Sequence, residues 1–274
     1  MQSARSQPIS SAFIWRRIHS LMGFWLVIYL IEHLIVNSQA ALWVSENGIE
    51  FVRLVNLIQS IPYLHIIEAT LIGIPVVIHG VWGVYRACTA RLNVHRTDGS
   101  APSLPYSRNR AFTWQRVTSW ILLFGIAGHV VQMRFLEQPK RVWIDRHERY
   151  LVKITKDEAL IPLSQRLGVS LSDQGGEYFC LTPGEVMANA PDPGRALLLM
   201  VRNTFKSPLM VALYTIFVLA AAFHACNGFW TFLITWGAIL SYRSQRAMIP
   251  VSVVGMGLMI FFGLAAVWGS YWLS

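Results

Sequence analysis

The sequence predicts an all-α membrane protein built as a bundle of five transmembrane helices. First, 54% of its 274 residues are hydrophobic and only 14% are charged, whereas a soluble domain carries about 25% charged residues. Second, the charges are segregated, and the stretches between them reach about 20 residues or more, enough to cross a hydrocarbon core of ~30 Å. The predicted spans are about 18–41, 63–85, 112–133, 207–233 and 248–271, in a single membrane domain covering 1–274.

The five spans differ in how strictly they exclude charge. The first is interrupted by Glu32 and His33, yet its apolar run is too long for a signal peptide. The second contains Glu68 and the third contains Arg116, whereas the fourth and fifth contain no charged residue. Trp and Tyr gather at several span ends, as in the aromatic belts of membrane proteins. They are Trp15, Tyr63, Tyr106, Trp114, Trp268, Tyr271 and Trp272.

Arginines in the short loops predict the orientation. The N-terminal tail has Arg5, Arg16 and Arg17 and no acid, and the second loop, 86–111, has five arginines against the single acid Asp98. Because basic loops remain on the cytoplasmic side, we expect the N terminus in the cytoplasm and the C terminus outside. The net charge of +9 then reflects membrane topology, and no nucleic-acid partner is expected.

Four of the eight histidines lie deep in the spans, one in each of the first four. They are His33, His79, His129 and His224. Each lies about 16 to 18 residues from the end at which its helix enters the membrane, roughly 24–27 Å along the axis. Because successive helices run in opposite directions, His33 and His129 share a depth nearer the outside, and His79 and His224 share a depth nearer the cytoplasm. We call these the outer pair and the inner pair.

This arrangement is what two bis-histidine haems need, because a low-spin haem takes one imidazole on each face of its iron. Glycines beside the histidines, such as Gly80 and Gly125, would let a flat macrocycle approach a helix, although they would serve helix packing equally well. The alternative is that each histidine forms a hydrogen bond across the bundle. Four polar side chains buried in hydrocarbon without partners are costly, and their pairing by depth favours haem ligation.

A rival pairing uses His19 and His65. Each precedes a deep histidine, His33 or His79, by 14 residues, which places it on the same helix face and ~21 Å away along the axis. Two helices alone could then hold two haems. The predicted depths argue against this scheme, because His19 lies at the inner boundary and His79 lies about seven residues, or ~10 Å, deeper. The scheme would also leave two deep histidines unused.

Six short blocks resemble the five-helix, two-haem cytochrome b subunits of succinate:quinone oxidoreductases, complexes that oxidise succinate or, in some bacteria, reduce fumarate. The blocks occur in the family's order and cover the first four spans well and the fifth weakly. They are RRIHSLMG (16–23), LIEHLIVN (30–37), VIHGVWGVY (77–85), WQRVTSWILLFGIAGHVVQMR (114–134), FHACNGFWTFLITWG (223–237) and SYRSQR (241–246).

The resemblance implies a role for each deep histidine. The family's ligand pairs fall on His79 with His224 for the inner haem and on His33 with His129 for the outer haem. These are the same pairs that the depth argument predicts. The family's histidine after the paired arginines, here His19, is not a ligand.

The resemblance also implies a quinone, commonly menaquinone, that reacts near the outer haem. Glu68 falls where some members place an acid for quinone proton exchange, and quinone reduction consumes protons; a hydrated carboxyl at the interface is the alternative. His19, Arg17 and Arg116 lie near the inner face, where they could contact haem propionates or a quinone headgroup. For the arginines, lipid headgroups or a peripheral partner are the alternatives. Neither the depths nor the resemblance explains Glu32.

The third loop, 138–206, departs from the family, whose members have a much shorter connection there. It mixes short β-like runs with Gly and Pro. Two alternatives follow: a small hairpin-rich cap outside the membrane, over the outer quinone site, or a disordered insert.

The predicted function is a membrane anchor that binds two haems b and relays electrons to quinone. The chain has no glycine-rich dinucleotide motif and too few cysteines for an iron–sulfur cluster. A flavoprotein and an iron–sulfur subunit are therefore expected as partners on the cytoplasmic face of a bacterial inner membrane. The alternatives are the dihaem cytochrome b of another quinone-linked enzyme, such as a fumarate reductase, hydrogenase or formate dehydrogenase, and a haem-free proton-coupled transporter.

Overall fold

The computed structural model describes residues 9–41, 48–89 and 107–272. Within them, five helices are long and apolar enough to cross a membrane. The prediction of five membrane helices is thus confirmed. Some residues used to predict the orientation lie outside the described residues, and the orientation stays a prediction. They are Arg5, Arg91, Arg96 and Asp98.

The elements follow one another along the chain as α1 (Ser11–Ser38), α2 (Ile49–Gln59), α3 (Leu64–Thr89), α4 (Ser107–Val130, continued by a π-helical turn at Val131–Leu136), β1 (Lys140–Ile144), β2 (His147–Thr155), α5 (Leu160–Arg166), β3 (Ser170–Ser172), β4 (Glu185–Ala190), α6 (Pro193–Thr204), α7 (Pro208–Thr235) and α8 (Tyr242–Trp272). The helices that can cross a membrane are α1, α3, α4, α7 and α8. The others belong to the loops between them.

Three membrane helices begin earlier than their predicted spans, among them α4, which begins at Ser107 rather than near 112. α1 begins at Ser11 rather than near 18, and α8 begins at Tyr242 rather than near 248. The added turns carry arginines, including Arg16 and Arg17 in α1. An α-helix satisfies its backbone hydrogen bonds internally, so it can continue from hydrocarbon into the polar interface without a penalty. Hydropathy therefore indicated the hydrocarbon-crossing length, which is shorter than the helix.

Two membrane helices contain π-helical turns. In α3 the turn is Ala69–Gly73, and the indole Nε1 of Trp25 donates a hydrogen bond to the carbonyl of Leu71 at 2.6 Å. In the turn that continues α4, the backbone N–H of Glu137 donates to Gln132 O at 2.9 Å. Such i to i+5 bonding brings residues five apart to one side of the helix, whereas a regular α-helix separates them by about 140° around the axis.

Residues 138–206, called the insertion below, contain a four-stranded antiparallel sheet with strand order β1-β2-β4-β3. β1 and β2 form a hairpin in which Ile144 pairs with His147. Asp145 and Arg146 connect them with positive φ angles of 51° and 66°, as a type I′ turn requires. The hairpin-rich alternative therefore describes this segment. Its position outside the membrane over a quinone site stays a prediction.

The insertion contains much of an apolar core, to which α2, α7 and α8 also contribute. The largest fully buried side chains of the described residues are Leu151, Ile154, Leu160, Leu163, Val186, Leu198 and Leu199. All of them belong to the insertion. Burying one such side chain stabilises the folded state by roughly 1.5–3 kcal/mol. This core gives the insertion a packed interior.

α6 joins the insertion to α2. The helix begins at Pro193, preceded by Asp192, whose carboxylate accepts a hydrogen bond from Arg195 N at 2.9 Å, a common N-cap arrangement. The N–H of Gly194 donates to Asn56 Oδ1 at 2.8 Å. A Cβ on Gly194 would lie 2.5 Å from Val52 O. Only glycine therefore allows α6 to approach α2 this closely.

A partly buried ion cluster connects the end of β2 to α6. Arg202 donates to Asp157 Oδ1 at 3.1 Å, and Lys206 forms a second ion pair with the same carboxylate. Lys206 also donates to Thr155 O at 2.6 Å. Burial by itself would raise the pKa of Asp157, but the hydrogen bond from Lys206 and the charge of Arg202 outweigh it and lower that pKa. The carboxylate is therefore held in its charged form.

The chain divides into two compact units. The first comprises the segment up to Tyr29, with Ile66–Trp120 and Phe223–Met256. The second comprises Leu30–His65, Ile121–Ala222 and the segment from Gly257 to the end of the chain. The inner pair of histidines falls in the first unit, and the outer pair falls in the second together with the insertion.

Candidate functional site: two histidine pairs

The inner pair joins two helices of the first unit. His79 on α3 and His224 on α7 have ring centroids 6.2 Å apart and ring planes crossed at 81°. Two imidazoles bound to opposite faces of one iron, each through a metal–nitrogen bond of about 2 Å, have ring centres roughly 6 Å apart. Both ring planes then contain the metal–nitrogen axis, so any angle between them is allowed. The inner pair has the spacing of two axial ligands.

His19 on α1 orients the ring of His79. His79 Nδ1 lies 3.0 Å from the backbone oxygen of His19, and because a carbonyl only accepts, Nδ1 carries the proton. The two imidazoles also stack, with centroids 4.0 Å apart and planes at 10°. With the proton on Nδ1, the lone pair of the neutral ring is on Nε2, the nitrogen that would bind a metal.

The stack corrects one expectation. From its sequence position His19 is predicted to lie ~10 Å shallower than His79, but in the structure their rings are in contact. The expectation is wrong because α1 begins at Ser11 and α3 continues to Thr89, so both helices extend past the boundary assumed for them. Gly23, one turn after His19, makes room for the His79 ring, since a Cβ there would lie 2.7 Å from His79 Cε1.

His224 is held by α4. The hydroxyl oxygen of Thr118 lies 3.3 Å from His224 Nδ1. Its own proton donates to Trp114 O at 2.7 Å, so the oxygen accepts from the imidazole N–H. Gln115 Nε2 donates to His224 O at 3.2 Å, and its Oε1 accepts from Asn227 at 2.8 Å. These contacts fix the ring and again leave Nε2 as the nitrogen with the lone pair.

The outer pair joins α1 and α4 in the second unit. His33 and His129 have ring centroids 5.9 Å apart and ring planes at 85°, nearly the geometry of the inner pair. Asn37 Nδ2 donates to His33 O at 2.8 Å and lies 3.5 Å from His33 Nδ1. The outer pair therefore also has the spacing of two axial ligands.

A tyrosine on α7 contacts His129. Its Nδ1 lies 3.1 Å from the hydroxyl of Tyr214, which donates to Gln132 Oε1 at 3.0 Å. The ring of Phe217 lies 6.0 Å from the imidazole, centroid to centroid. Gly125 allows this packing, because a Cβ there would lie 2.6 Å from Phe217 Cδ2. Polar and aromatic neighbours thus fix the plane of His129.

A carboxylate continues these contacts towards the insertion. Gln132 Nε2 donates to Glu137 Oε1 at 2.8 Å. The other carboxylate oxygen accepts from the hydroxyl of Thr204 at 2.5 Å. Thr204 is the last residue of α6 and is buried. Side chains therefore connect α6 to the outer pair without interruption.

The two arginines predicted near propionates or quinone each bind the end of a helix. Arg17 donates to Thr235 O at 3.3 Å, at the last residue of α7. Arg116 donates to Ala87 O at 3.1 Å, in the last turn of α3. Cations are favourable at helix C termini, where unpaired carbonyls and the helix dipole concentrate negative charge. Their contacts with propionate or quinone stay predictions.

The acidic residues of the first two spans have separate surroundings. Glu68 is half-buried in α3, immediately before the π-helical turn, and its role in quinone proton exchange stays a prediction. Glu32 lies on the exposed surface of α1. The structure gives no physical account of Glu32.

Five residues that hold the histidine rings were not identified from the sequence. They are Asn37, Thr118, Gln132, Glu137 and Tyr214. Asn37 follows His33 by four residues and Gln132 follows His129 by three, so each lies on the same helix face as a deep histidine. This spacing could have identified both residues from the sequence. Tyr214 and Thr118 lie on a different helix from the histidine that each contacts, so only tertiary packing reveals them.

Five helices that are long and apolar enough to cross a membrane indicate a multi-pass membrane protein, and each of its two compact units contains one pair of histidines. The chain is 29% identical over 257 residues to the succinate dehydrogenase cytochrome b558 subunit of Bacillus subtilis (strain 168), which covers 93% of this chain and 95% of that protein. No protein-family profile and no solved structure matches the chain. This match over nearly the full length of both chains supports the resemblance seen in the sequence blocks, to the cytochrome b membrane subunits of succinate dehydrogenases.

Proposed function

We propose that this chain is the membrane anchor of a succinate dehydrogenase, binds two haems b through two histidine pairs, and relays electrons from a partner's iron–sulfur cluster to quinone. One observation carries the proposal. The two pairs have ring centroids 6.2 Å and 5.9 Å apart, the spacing that two axial imidazoles of one iron adopt. The curated relative, matched over 93% of this chain and 95% of its own length, is named as a cytochrome b subunit.

The residues present fit haem in their donor chemistry as well as their spacing. For all four deep histidines, the nitrogen seen in a hydrogen-bond contact is Nδ1; the contacts are His33 with Asn37, His79 with His19 O, His129 with Tyr214, and His224 with Thr118. Histidines that bind metals commonly use their second nitrogen in this way, which fixes the ring and its tautomer. In His79, His129 and His224 the Nδ1 proton is donated, so Nε2 carries the lone pair and could bind a metal. The contact at His33 differs, because Asn37 Nδ2 only donates and cannot accept an Nδ1 proton.

The cofactor's own contribution, when bound, is the reversible gain and loss of one electron at its iron. The protein's contribution is to hold each imidazole in one plane and one tautomer. His19 and Thr118 do this for the inner pair, and Tyr214 does so for His129. Fixed ligands reduce the rearrangement that accompanies a change of charge.

The rival pairing of His19 with His79 receives no support from this geometry. Their parallel rings lie 4.0 Å apart, whereas an iron between two imidazoles needs roughly 6 Å. His19 is therefore proposed as a support for His79. A contact of its side chain with a propionate remains part of the proposal for this residue.

The partner subunits are inferred from flavin and iron–sulfur motifs that the sequence does not contain. Flavin chemistry and iron–sulfur clusters need motifs that this chain does not contain, so a flavoprotein and an iron–sulfur subunit are proposed to dock on its cytoplasmic face. The proposed location is the bacterial inner membrane. The arginines of the N-terminal tail and of the loops at 86–111 and 241–246 would face these partners.

Quinone, proposed as menaquinone, would react near the outer pair. Reducing one quinone to quinol takes up two electrons and two protons, so a titratable group must lie within reach of the headgroup. Glu68, half-buried in α3, is proposed to exchange these protons.

The proposal is tested by a reduced-minus-oxidised spectrum of the purified chain in its complex. Two b-type haems per polypeptide are expected, and a folded preparation without haem would refute the proposal, leaving the haem-free transporter as the alternative. Succinate-dependent reduction of a menaquinone analogue separates succinate dehydrogenase from other quinone-linked dihaem enzymes.

The pairing is tested by single histidine variants. His33→Leu should remove the outer haem and leave the inner haem largely bound, and His79→Leu should do the reverse. His147→Leu is the matched control, because this histidine is exposed in the insertion and both haems should stay. Loss of the inner haem alone in His33→Leu would contradict the assigned pairs.

A further inference from the structure

A continuous chain of hydrogen bonds runs from the outer pair to a carboxylate. It begins at His129 Nδ1, passes to the hydroxyl of Tyr214 at 3.1 Å and on to Gln132 Oε1 at 3.0 Å. From Gln132 Nε2 it reaches Glu137 Oε1 at 2.8 Å. The second carboxylate oxygen accepts from Thr204 at 2.5 Å. All five side chains belong to the second unit.

The protons in this chain can be assigned from its end. An ionised Glu137 only accepts, so the amide of Gln132 must donate to it, and the amide oxygen then accepts from Tyr214. Tyr214 has a single hydroxyl proton, which it gives to Gln132. Its oxygen therefore accepts from His129 Nδ1–H. With Glu137 ionised, no other arrangement satisfies all three contacts.

The two histidine pairs differ in this respect. In the inner pair, Nδ1 of His79 donates to a backbone carbonyl and Nδ1 of His224 contacts a threonine hydroxyl, both neutral. The chain on His129 ends instead at an anion. Hydrogen bonds with a charged acceptor are stronger than neutral ones, and bonds in series polarise one another. A carboxylate behind a ligating histidine raises the basicity of the ligand.

Two local features bring Glu137 into the chain. The π-helical turn that continues α4 places Gln132 and Glu137 on the same side of the helix, where a regular α-helix would separate them by about 140°. Thr204, at the end of α6, orients the carboxylate from the other side. The insertion therefore contributes a residue, Thr204, to the chain.

We propose that Tyr214, Gln132 and Glu137 are positioning residues that fix His129 and increase the electron donation of its Nε2, and that the insertion adjusts this effect through Thr204. The inference rests on the proposed function, because it requires a haem at the outer pair. Greater donation from an axial ligand favours the oxidised iron. The chain thus lowers the midpoint potential of the outer haem relative to a neutral environment of His129.

The test measures the midpoint potentials of both haems by redox titration of the complete complex, with the low-spin electron paramagnetic resonance spectrum as a second readout. Glu137→Gln removes the negative charge and should shift the outer haem to a more positive potential without moving the inner one. Glu137→Asp keeps the negative charge on a shorter side chain, so it should shift the potential of the outer haem less than Glu137→Gln does. Tyr214→Phe interrupts the chain and should shift the potential in the same direction. The phenyl ring of this variant should keep the contacts that the Tyr214 ring makes with Phe205 and Phe217, so we expect the variant to fold.

Thr204→Val supplies a change of opposite sign. It removes a donor to Glu137 Oε2, leaves the carboxylate a stronger acceptor for Gln132, and should shift the outer haem to a more negative potential. A purely structural disturbance would not produce opposite signs in two variants of one contact. Tyr150→Phe is the matched control, because this tyrosine donates to Glu148 at 2.7 Å outside the chain, and both potentials should stay unchanged.

The outcomes separate the two levels of the proposal. Two bound haems whose potentials are unchanged in Glu137→Gln and Tyr214→Phe would overturn the positioning role while leaving the proposed function intact. Shifts of the same sign in Glu137→Gln and Thr204→Val would also overturn it. A wild-type chain without a second haem would overturn both.

Discussion

His19 supports His79 twice, once through its backbone and once through its side chain. Its carbonyl accepts the Nδ1 proton of His79 at 3.0 Å, and its imidazole stacks on the same ring at a centroid distance of 4.0 Å. The two supports can be separated by mutation, because substitution removes the ring but leaves the carbonyl. Variants of His19 can therefore distinguish a residue that supports His79 from a residue that binds haem.

Replacing His19 by alanine should therefore leave both haems bound. The hydrogen bond to His79 survives because its acceptor is backbone, and loss of the stacked ring should alter only the spectrum and potential of the inner haem. Haem content per polypeptide and the α-band position are the measurements. His19→Phe, which retains a flat ring, should lie closer to wild type. Loss of the inner haem in both variants would mean that His19 is a ligand.

Gly23→Ala should displace His79. The new Cβ would lie 2.7 Å from His79 Cε1 and 3.0 Å from Nδ1, so the ring must move, and overpacking of this kind costs about 1–3 kcal/mol. We expect weaker binding of the inner haem and a lower thermal midpoint of the protein. Gly257→Ala on α8 is the control, because a Cβ there meets nothing within 4 Å. Equal behaviour of the two variants would argue against the close approach.

Asn56→Ala should loosen the insertion. It removes the acceptor of the Gly194 N–H at the joint between α2 and α6, and an unsatisfied buried donor costs about 1–3 kcal/mol. Limited proteolysis within the insertion should become faster, with little change in haem content. Gln59→Ala, at an exposed position of the same helix, should change stability by no more than about 0.5 kcal/mol. Identical digestion rates would contradict the joint.

Acid should remove the contribution of Glu185. Its carboxylate accepts from Thr182 N and pairs with Lys153, which together lower the pKa of Glu185 from 4.5 to about 2. A folded-state pKa below the unfolded value stabilises the protein above the unfolded pKa, and the benefit disappears as pH falls through the folded pKa. Wild type should therefore melt above Glu185→Gln at neutral pH, with a difference that shrinks from pH 4.5 towards 2. A difference that is constant down to pH 3 would contradict this assignment.

Deleting 140–200 tests whether the insertion shapes the quinone site. The deletion uncovers three buried side chains of α2, Phe51, Val52 and Val55, each stabilised by roughly 1.5–3 kcal/mol when buried, so thermal stability should fall. If the insertion covers the site, the KM for quinone should change as well. Asn56→Ala provides a comparison in which stability falls while the insertion remains. Unchanged quinone kinetics in the deletion would argue against a cap.

The features of this protein that depend on local composition could be predicted from the amino-acid sequence. Charge-free segments of membrane-crossing length predicted five helices, because hydrocarbon tolerates few charges and requires internally satisfied backbone. The depth of each histidine within its segment predicted the two pairs, since the rise per residue of a helix is constant. Both pairs then appear with ring centroids near 6 Å.

The contacts between segments distant in sequence became visible only in the three-dimensional structure. Nothing in the hydropathy reveals the π-helical turn that brings Gln132 to Glu137, or the approach of Tyr214 to His129 from another helix. The predicted depth of His19 was wrong because additional turns, which include Arg16 and Arg17, extend α1 beyond the hydrocarbon boundary. α6 joins the insertion to α2 through packing, which local composition does not encode. The physical reason is common to all of these: side-chain packing and hydrogen bonds between elements depend on three-dimensional proximity, whereas membrane insertion depends on composition along the chain.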